Sequence, residues 1–175
     1  MIRGERIDLR PVTEADLDHL EDWMSDPDFH GEFNTFALNR PGEIRRAFAT
    51  HGFLAEERGR LLIVTKAGEL AGDVTYRQVN HGPGVSNRVF EIGITIAPAH
   101  RGQGHGAAAQ RLLVAYLFST SLSERVQATT DVTNVAEQRS LERAGFTREG
   151  ILRRAQFRAG TWHDMVMYSK LRGEP

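Results

Sequence analysis

Cysteine is absent from all 175 residues, which removes disulfide bonds, a thiolate nucleophile, thiolate metal sites and a redox relay from consideration. Long apolar runs are missing as well. No stretch approaches the roughly 18 residues that a membrane-spanning helix requires, and Met1 to Arg6 has no apolar core for a secretory signal. Nor is there a surplus of either charge. The 22 Lys and Arg stand against 23 Asp and Glu, a formal net charge of −1, whereas nucleic-acid and membrane-surface binders concentrate positive field. The expectation is a cytoplasmic protein whose partners include neither nucleic acid nor membrane.

What is present is a globular composition. A chain of this length buries about 70% of its unfolded surface and needs no metal or cross-link to hold it together. It reads as a single domain over residues 1–175. Residues 7–12 alternate as a strand and stop at Thr13, which pairs with Asp16 as a capping-box-like start to a helix carrying Leu17, Leu20, Trp23 and Met24. That helix ends near Asp26-Pro27. Residues 27–60 scatter Phe29, Phe33, Phe36, Phe48 and Phe53 among glycine and charge, which predicts one or two short helices.

Strands at 61–65 and 70–79 flank a turn at Ala67-Gly68-Glu69. A Gly/Pro/Asn loop over 80–87 leads to a strong strand at 89–96, with Phe90, Ile92, Ile94 and Ile96 on one face. After a glycine-rich turn comes a helix with Ala109, Leu112, Leu113, Tyr116 and Leu117 on one side. A strand at 125–132, a helix from Asn134 to its cap at Gly145, and strands at 147–157 and 162–171 complete the chain. This order predicts a mixed sheet with helices on both faces.

The most informative segment runs from Ile94 to Ala107 as strand, loop, glycine-rich turn and helix. The first turn of a helix leaves backbone N–H groups without partners, and the helix dipole adds positive charge there. Gly102, Gly104 and Gly106 remove side chains that would hold a phosphate away from those groups, and glycine permits positive φ. Such a turn suits a pyrophosphate, with Arg101 at its entrance offering a charge-assisted contact. A bare strand-to-helix turn that binds nothing is the plainer alternative. Gly102-x-Gly104-x-x-Ala107 also fits the dinucleotide fingerprint in letters, but residues 97–100 intervene between strand and motif. A Walker loop is excluded, because no Gly-Lys-Ser/Thr follows.

Arg101-x-x-Gly104-x-Gly106 between a strand and a helix resembles the Arg/Gln-x-x-Gly-x-Gly/Ala motif of GNAT-superfamily N-acetyltransferases. Asn134, opening a helix that ends in Gly145-Phe146, resembles a second family feature. Leu9-Arg10-Pro11 to Asp26-Pro27 and Gly160-Thr161-Trp162-His163-Asp164 to Tyr168 resemble the ribosomal-protein alanine acetyltransferase (RimJ/RimL-like) branch. Together the matches span nearly the whole chain in order, and they imply the family's α/β fold of the α+β type: a mixed, mostly antiparallel sheet with a splayed parallel pair and helices on both faces.

The resemblance implies acetyl-CoA as acetyl-donor co-substrate, held where the parallel strands 89–96 and 125–132 splay apart. The backbone of Ile94 and Ile96 would pair with the pantetheine arm. Arg101, Gly102, Gln103, Gly104, His105, Gly106 and Ala107 would wrap the pyrophosphate, and Asn134 would reach the pantetheine from the opposite wall. The implied reaction is direct attack by a primary amine in a ternary complex, the amine being a small molecule or a protein N-terminus. A monomer or homodimer is implied equally.

Glu91 is the candidate proton acceptor, on the face away from Phe90 and Ile92 and beside Gly93; a salt bridge to Arg88 or another arginine is its competing role. The family's donor positions hold Leu141 and Glu137 here, so the proton donor stays open, and Asn134-x-x-Glu137 reads as a capping box. Trp23 and Phe33 are candidates for substrate lining, with core packing as the alternative. His100 and His105 have no zinc-like spacing, so no metal is expected. Two other functions compete: a coenzyme A sensor of the same shape without turnover, and, on the fingerprint alone, a nicotinamide-dependent dehydrogenase.

Overall fold

The strands are β1 (Ile2–Arg3), β2 (Ile7–Pro11), β3 (Arg58–Thr65), β4 (Leu70–Asn80), β5 (Arg88–Ile96), β6 (Arg125–Asp131), β7 (Thr147–Arg158) and β8 (Thr161–Leu171). The helices are α1 (Leu17–Ser25), α2 (Pro27–Asn34), α3 (Glu43–His51), α4 (His105–Thr120) and α5 (Val135–Arg143). The computed structural model describes residues 1–34, 40–84 and 87–175; Phe36 and part of the predicted 80–87 loop lie outside them. The strands form one sheet in the order β1-β2-β3-β4-β5-β6-β8-β7. Every neighbouring pair is antiparallel except β5 with β6. Two departures from the sequence pattern stand out. The two-residue β1 carries no periodicity to read, and β3 begins at Arg58, where Gly59 and the charged side chains of Arg58 and Arg60 obscure the alternation.

Both faces of the sheet are covered. Leu61 and Ile63 pack into a core with Leu113 and Leu117 of α4 and Leu141 of α5, while Leu62, between them in sequence, packs with Leu20 of α1, Phe29 of α2 and Ile44 of α3. A central strand buried on two faces reads as a continuous apolar run rather than as an alternation, as 61–64 does here. The start of α1 is fixed by charge. The Asp16 carboxylate accepts from the Thr13 amide at 2.8 Å and from both Arg10 terminal nitrogens at 2.7 Å. The Arg10 guanidinium, with Thr13, holds that carboxyl well below the usual range. Among the described residues no helix is long and apolar enough to cross a membrane.

The feature that positions the site is the β5–β6 junction. The strands share only the pairs Phe90–Val126 and Glu91–Gln127. β5 then continues to Ile96 and β6 to Asp131 with no further pairing between them. Phe90 and Ile92 are 3% and 6% exposed, but Ile94 and Ile96, on the same face, are only half-buried. The wedge therefore opens at the level of Ile92 and widens toward the start of α4.

Candidate functional site

The turn ahead of α4 has the geometry its glycines imply. Gly102 and Gly104 sit at φ +73° and +80°, a left-handed region costly for other residues, and Gly104 is the residue from which α4 starts. Gly106 is required for a different reason. A β-carbon there would lie 2.9 Å from Ser140 Oγ of α5 and 3.8 Å from Ile94 Cδ1, so Gly106 lets α4, α5 and β5 converge. The Arg101 amide donates to the Pro98 carbonyl at 3.3 Å. From Gly102 to Ala107 the amides have no partner among the described residues, and the first helical bond is made by Ala108, to the Gly104 carbonyl.

Around this cradle lie further polar groups. His105 is 8% exposed, and its Nδ1 is buried with no hydrogen-bond partner among the described residues. Burial, then the nearby His100 and Arg6, lower its pKa. Arg6 also reaches the cradle from the β1–β2 turn, donating to the Gln103 carbonyl at 3.0 Å. Gln103 turns its own side chain back to the Ala99 carbonyl. Arg101 Nε donates to the Ile96 carbonyl at 3.0 Å, and Nη2 donates to the carbonyls of Asp28 (2.7 Å) and Phe29 (3.0 Å) in α2. Two of its three guanidinium nitrogens are thus committed to backbone carbonyls.

The opposite wall is α5. Asn134 caps it, its Oδ1 accepting from the Glu137 amide at 3.2 Å. The reciprocal half of the expected capping box is missing, because the Glu137 carboxylate instead accepts from Gln110 Nε2 of α4, whose Oε1 accepts from Ser140 Oγ at 2.9 Å. Burial pushes the Glu137 carboxyl up to about 7, against the lowering effect of that Gln110 bond. Leu141 is fully buried in the core.

On the sheet face away from α4, Glu91 occupies the last shared rung of the wedge. Its Oε1 accepts from Arg77 of β4, with Nε at 3.0 Å, and its Oε2 accepts from Gln127 Nε2 at 3.1 Å. The arginine partner is thus the cross-strand neighbour Arg77, not Arg88, which lies near Glu57. The network continues through Gln127 to His81 Nε2 (2.8 Å) and to Arg125, which grips Glu149 with two bonds of 2.6 Å.

Beyond the far end of β6 lies a cluster that sequence reasoning missed. Asp131 and Arg158, both nearly sealed from solvent, pair at 2.6 Å. His163 Nδ1 lies 3.1 Å from the same Asp131 oxygen and its Nε2 lies 3.2 Å from the Arg158 carbonyl. Thr133 donates to the other Asp131 oxygen through its amide (2.8 Å) and hydroxyl (2.7 Å). Arg158 also reaches α2, over the Phe33 ring at 5.5 Å and to the Phe33 carbonyl at 3.4 Å. Of the two aromatic candidates, Phe33 stands beside the wedge. Trp23 does not: it is 9% exposed in the α1–α3 core, stacked on Phe29 at 4.4 Å, so it packs rather than lines.

An anionic, amide-bearing ligand fits this arrangement. The helix-start amides of Gly102 to Ala107 and the buried Nδ1 of His105 have no partner among the described residues, and a helix start of this kind draws anions. Among the described residues no group of three or more His, Cys, Asp or Glu is arranged to hold a metal ion.

The model of the acetyltransferase (GNAT) domain matches residues 6–147. The uncharacterized N-acetyltransferase YoaA of Bacillus subtilis is 26% identical over 174 residues, which cover 97% of this chain and 95% of that protein. Spermidine N-acetyltransferase from Vibrio cholerae, solved with CoA and spermine, shares the fold with a TM-score of 0.83 at 20% identity over 98% of each chain. RimL, a ribosomal L7/L12 alpha-N-protein acetyltransferase solved with coenzyme A, does so at 0.78 and 19% identity over 97% of each.

Proposed function

Because the chain belongs to the GNAT acetyltransferase family, we propose that the wedge between β5 and β6 is where this N-acetyltransferase passes an acetyl group from acetyl-CoA to an amine. The parting of the strands beyond Glu91 and Gln127, beside a run of unpartnered helix-start amides, carries this reading. The amides of Gly102 to Ala107 would hold the diphosphate, with the helix dipole adding to each contact. His105 and Arg6 border it. The free edge of β5 at Ile94 and Ile96 would take the pantetheine amides as a missing strand, and Asn134 faces it from α5. An unpartnered edge amide beside the thioester would stabilise developing negative charge.

When bound, acetyl-CoA supplies the carbonyl that the amine attacks and the sulfur that leaves. The protein supplies orientation and proton transfer. A lysine-like amine is neutral in only about one molecule in a few thousand at pH 7, so a proton acceptor is needed. We assign that part to Glu91, whose Oε2 faces the wedge rung while Arg77 fixes Oε1. Glu137, whose Oε1 accepts from Gln110, is a carboxyl that burial raises to about 7 and so keeps partly protonated near neutrality.

The acceptor side favours a cation. Along α1 and α2, Asp22, Asp26, Asp28 and Glu32 are exposed and lie in no ion pair among the described residues, whereas Asp16 and Asp18 are matched by Arg10 and Arg45. A field of that sign draws a protonated amine. The deciding experiment is calorimetry with coenzyme A, followed by thiol release across spermidine, spermine, aminoglycosides and peptides with free alanine or serine N-termini. One-to-one binding in the micromolar range and turnover of one amine class are expected. No binding at millimolar coenzyme A would refute the assignment, and binding without turnover on any amine would favour the sensor.

A further inference from the structure

Helix α2 is broken in the middle and tied down at both halves. Gly31 sits at φ +63°, ψ −179°, a combination essentially restricted to glycine, and it interrupts the helix. The carbonyls of Asp28 and Phe29, ahead of the break, accept from Arg101 Nη2. On the other side of the break, the Phe33 carbonyl and ring face Arg158. These two arginines belong to opposite arms of the wedge. Arg101 is anchored to the carbonyl of Ile96, the last residue of β5, and Arg158 to the carboxylate of Asp131, the last residue of β6. One short helix thus spans the open ends of both strands, on the sheet face where Phe29 packs and α4 does not.

Each tie is charge-assisted, and each guanidinium makes several bonds at once, which fixes direction as well as distance. A two-arginine attachment of a helix carrying Asp28, Phe29 and Phe33 is more than the core needs, since Phe29 is already stacked on Trp23. Resting on the acetyl-transfer reading above, we propose that Arg101 and Arg158 are positioning residues that clasp α2 across the mouth of the wedge, making it the fixed wall against which the acceptor amine is aligned. Gly31 is the joint that lets the two halves meet their separate arginines. The clasp places Phe33 beside the Asp131–Arg158 pair, at the end of β6.

The test uses Arg158→Lys, Arg101→Lys and the double variant of the full chain. Lysine keeps a charge for Asp131 but lacks the fork that reaches Phe33 at the same time. In each single variant the amides of residues 27–34 should exchange hydrogen about three- to tenfold faster, the fold-change that corresponds to one hydrogen bond, with α4 unchanged. With the amine returned by the screen above, KM should rise at least about threefold in Arg158→Lys while coenzyme A affinity measured by calorimetry stays the same. In the double variant the losses should be less than additive, because two ties to one helix act as a unit. Unchanged exchange in 27–34, equal acceleration throughout the protein, or a loss confined to coenzyme A affinity would overturn the clasp. A wild-type protein that binds no coenzyme A would sink the functional reading instead, and the exchange pattern would decide the clasp by itself.

Discussion

Glu91 and Gln127 face each other on the last rung that β5 and β6 share, with the Gln127 amide donating to the Glu91 carboxylate at 3.1 Å. Everything toward the α4 end of that rung is open edge. The carboxylate is therefore at the vertex of the wedge, held from one side by Arg77 and from the other by Gln127.

If the Glu91 carboxylate accepts the amine proton, Glu91→Gln should lower turnover about a hundredfold or more, the usual weight of a general base, and flatten its rise with pH. Coenzyme A affinity should stay within about twofold, a change that corresponds to under 0.5 kcal/mol. Steady-state thiol release paired with calorimetry checks both. Unaltered turnover would leave Glu91 as a cross-strand ion pair with Arg77 and nothing more.

Gly104 tests the cradle. A β-carbon there would approach nothing closer than 3.9 Å, so Gly104→Ala is not crowded, but φ +80° would cost it about 1–2 kcal/mol. Coenzyme A affinity should fall about tenfold, with little loss of thermal stability relative to Gly106→Ala, whose β-carbon would meet Ser140 Oγ at 2.9 Å. Normal affinity in Gly104→Ala, measured by calorimetry, would move the diphosphate elsewhere.

Glu137 makes stability depend on pH in a stated direction. Its folded pKa of about 7 lies above its ordinary value of 4.5, so the unfolded chain gives up this proton first as pH rises. Stability from this group is intact below about 4.5 and is lost progressively up to about 7. Glu137→Gln should therefore gain melting temperature relative to the parent at pH 8 and show no such advantage at pH 4.5. Equal pH profiles for the two proteins would count against a buried, protonated Glu137.

Asp131 has the opposite sign. Burial alone would raise its carboxyl, but the Thr133 amide and the Arg158 guanidinium outweigh that and bring it to about 2. Its contribution is complete above its ordinary 3.8 and fades as pH falls toward 2. Asp131→Asn leaves Arg158 buried without a counter-charge, at a cost of about 3–5 kcal/mol. Urea denaturation at pH 7 should show that loss, shrinking as the pH is lowered. A change below about 1 kcal/mol, the scale of an exposed pair, would mean that water reaches the ion pair.

Much of this architecture was readable because periodicity reports which face a residue occupies. The alternation over 89–96, the glycine turn before α4 and the Asn134 and Gly145 caps all translate directly into local geometry. Periodicity does not report partners. Arg101 borders the turn in sequence, but two of the carbonyls it binds lie in α2, more than seventy residues away, and no local pattern announces them. Asp131 and Arg158 are separated by most of two elements, and only the antiparallel return of β8 brings the β7–β8 hairpin beside β6. Trp23 carried a helical spacing that suits a pocket or a core equally well, and stacking on Phe29 decides for the core. Glu137 had the spacing of a capping box, but the burial of Gln110 on α4 offered its carboxylate a different donor.

The seam of two residue pairs between β5 and β6 divides the sheet into a five-stranded block and a three-stranded block, joined otherwise by helices and by the side-chain bonds of Gln127 to Glu91 and His81. Heat should find that division. Without ligand the smaller block is free to loosen ahead of the larger, giving a broad calorimetric transition whose van't Hoff enthalpy falls short of the measured heat. A molecule lying in the wedge as a surrogate strand would mortar the blocks together, and the two enthalpies would converge.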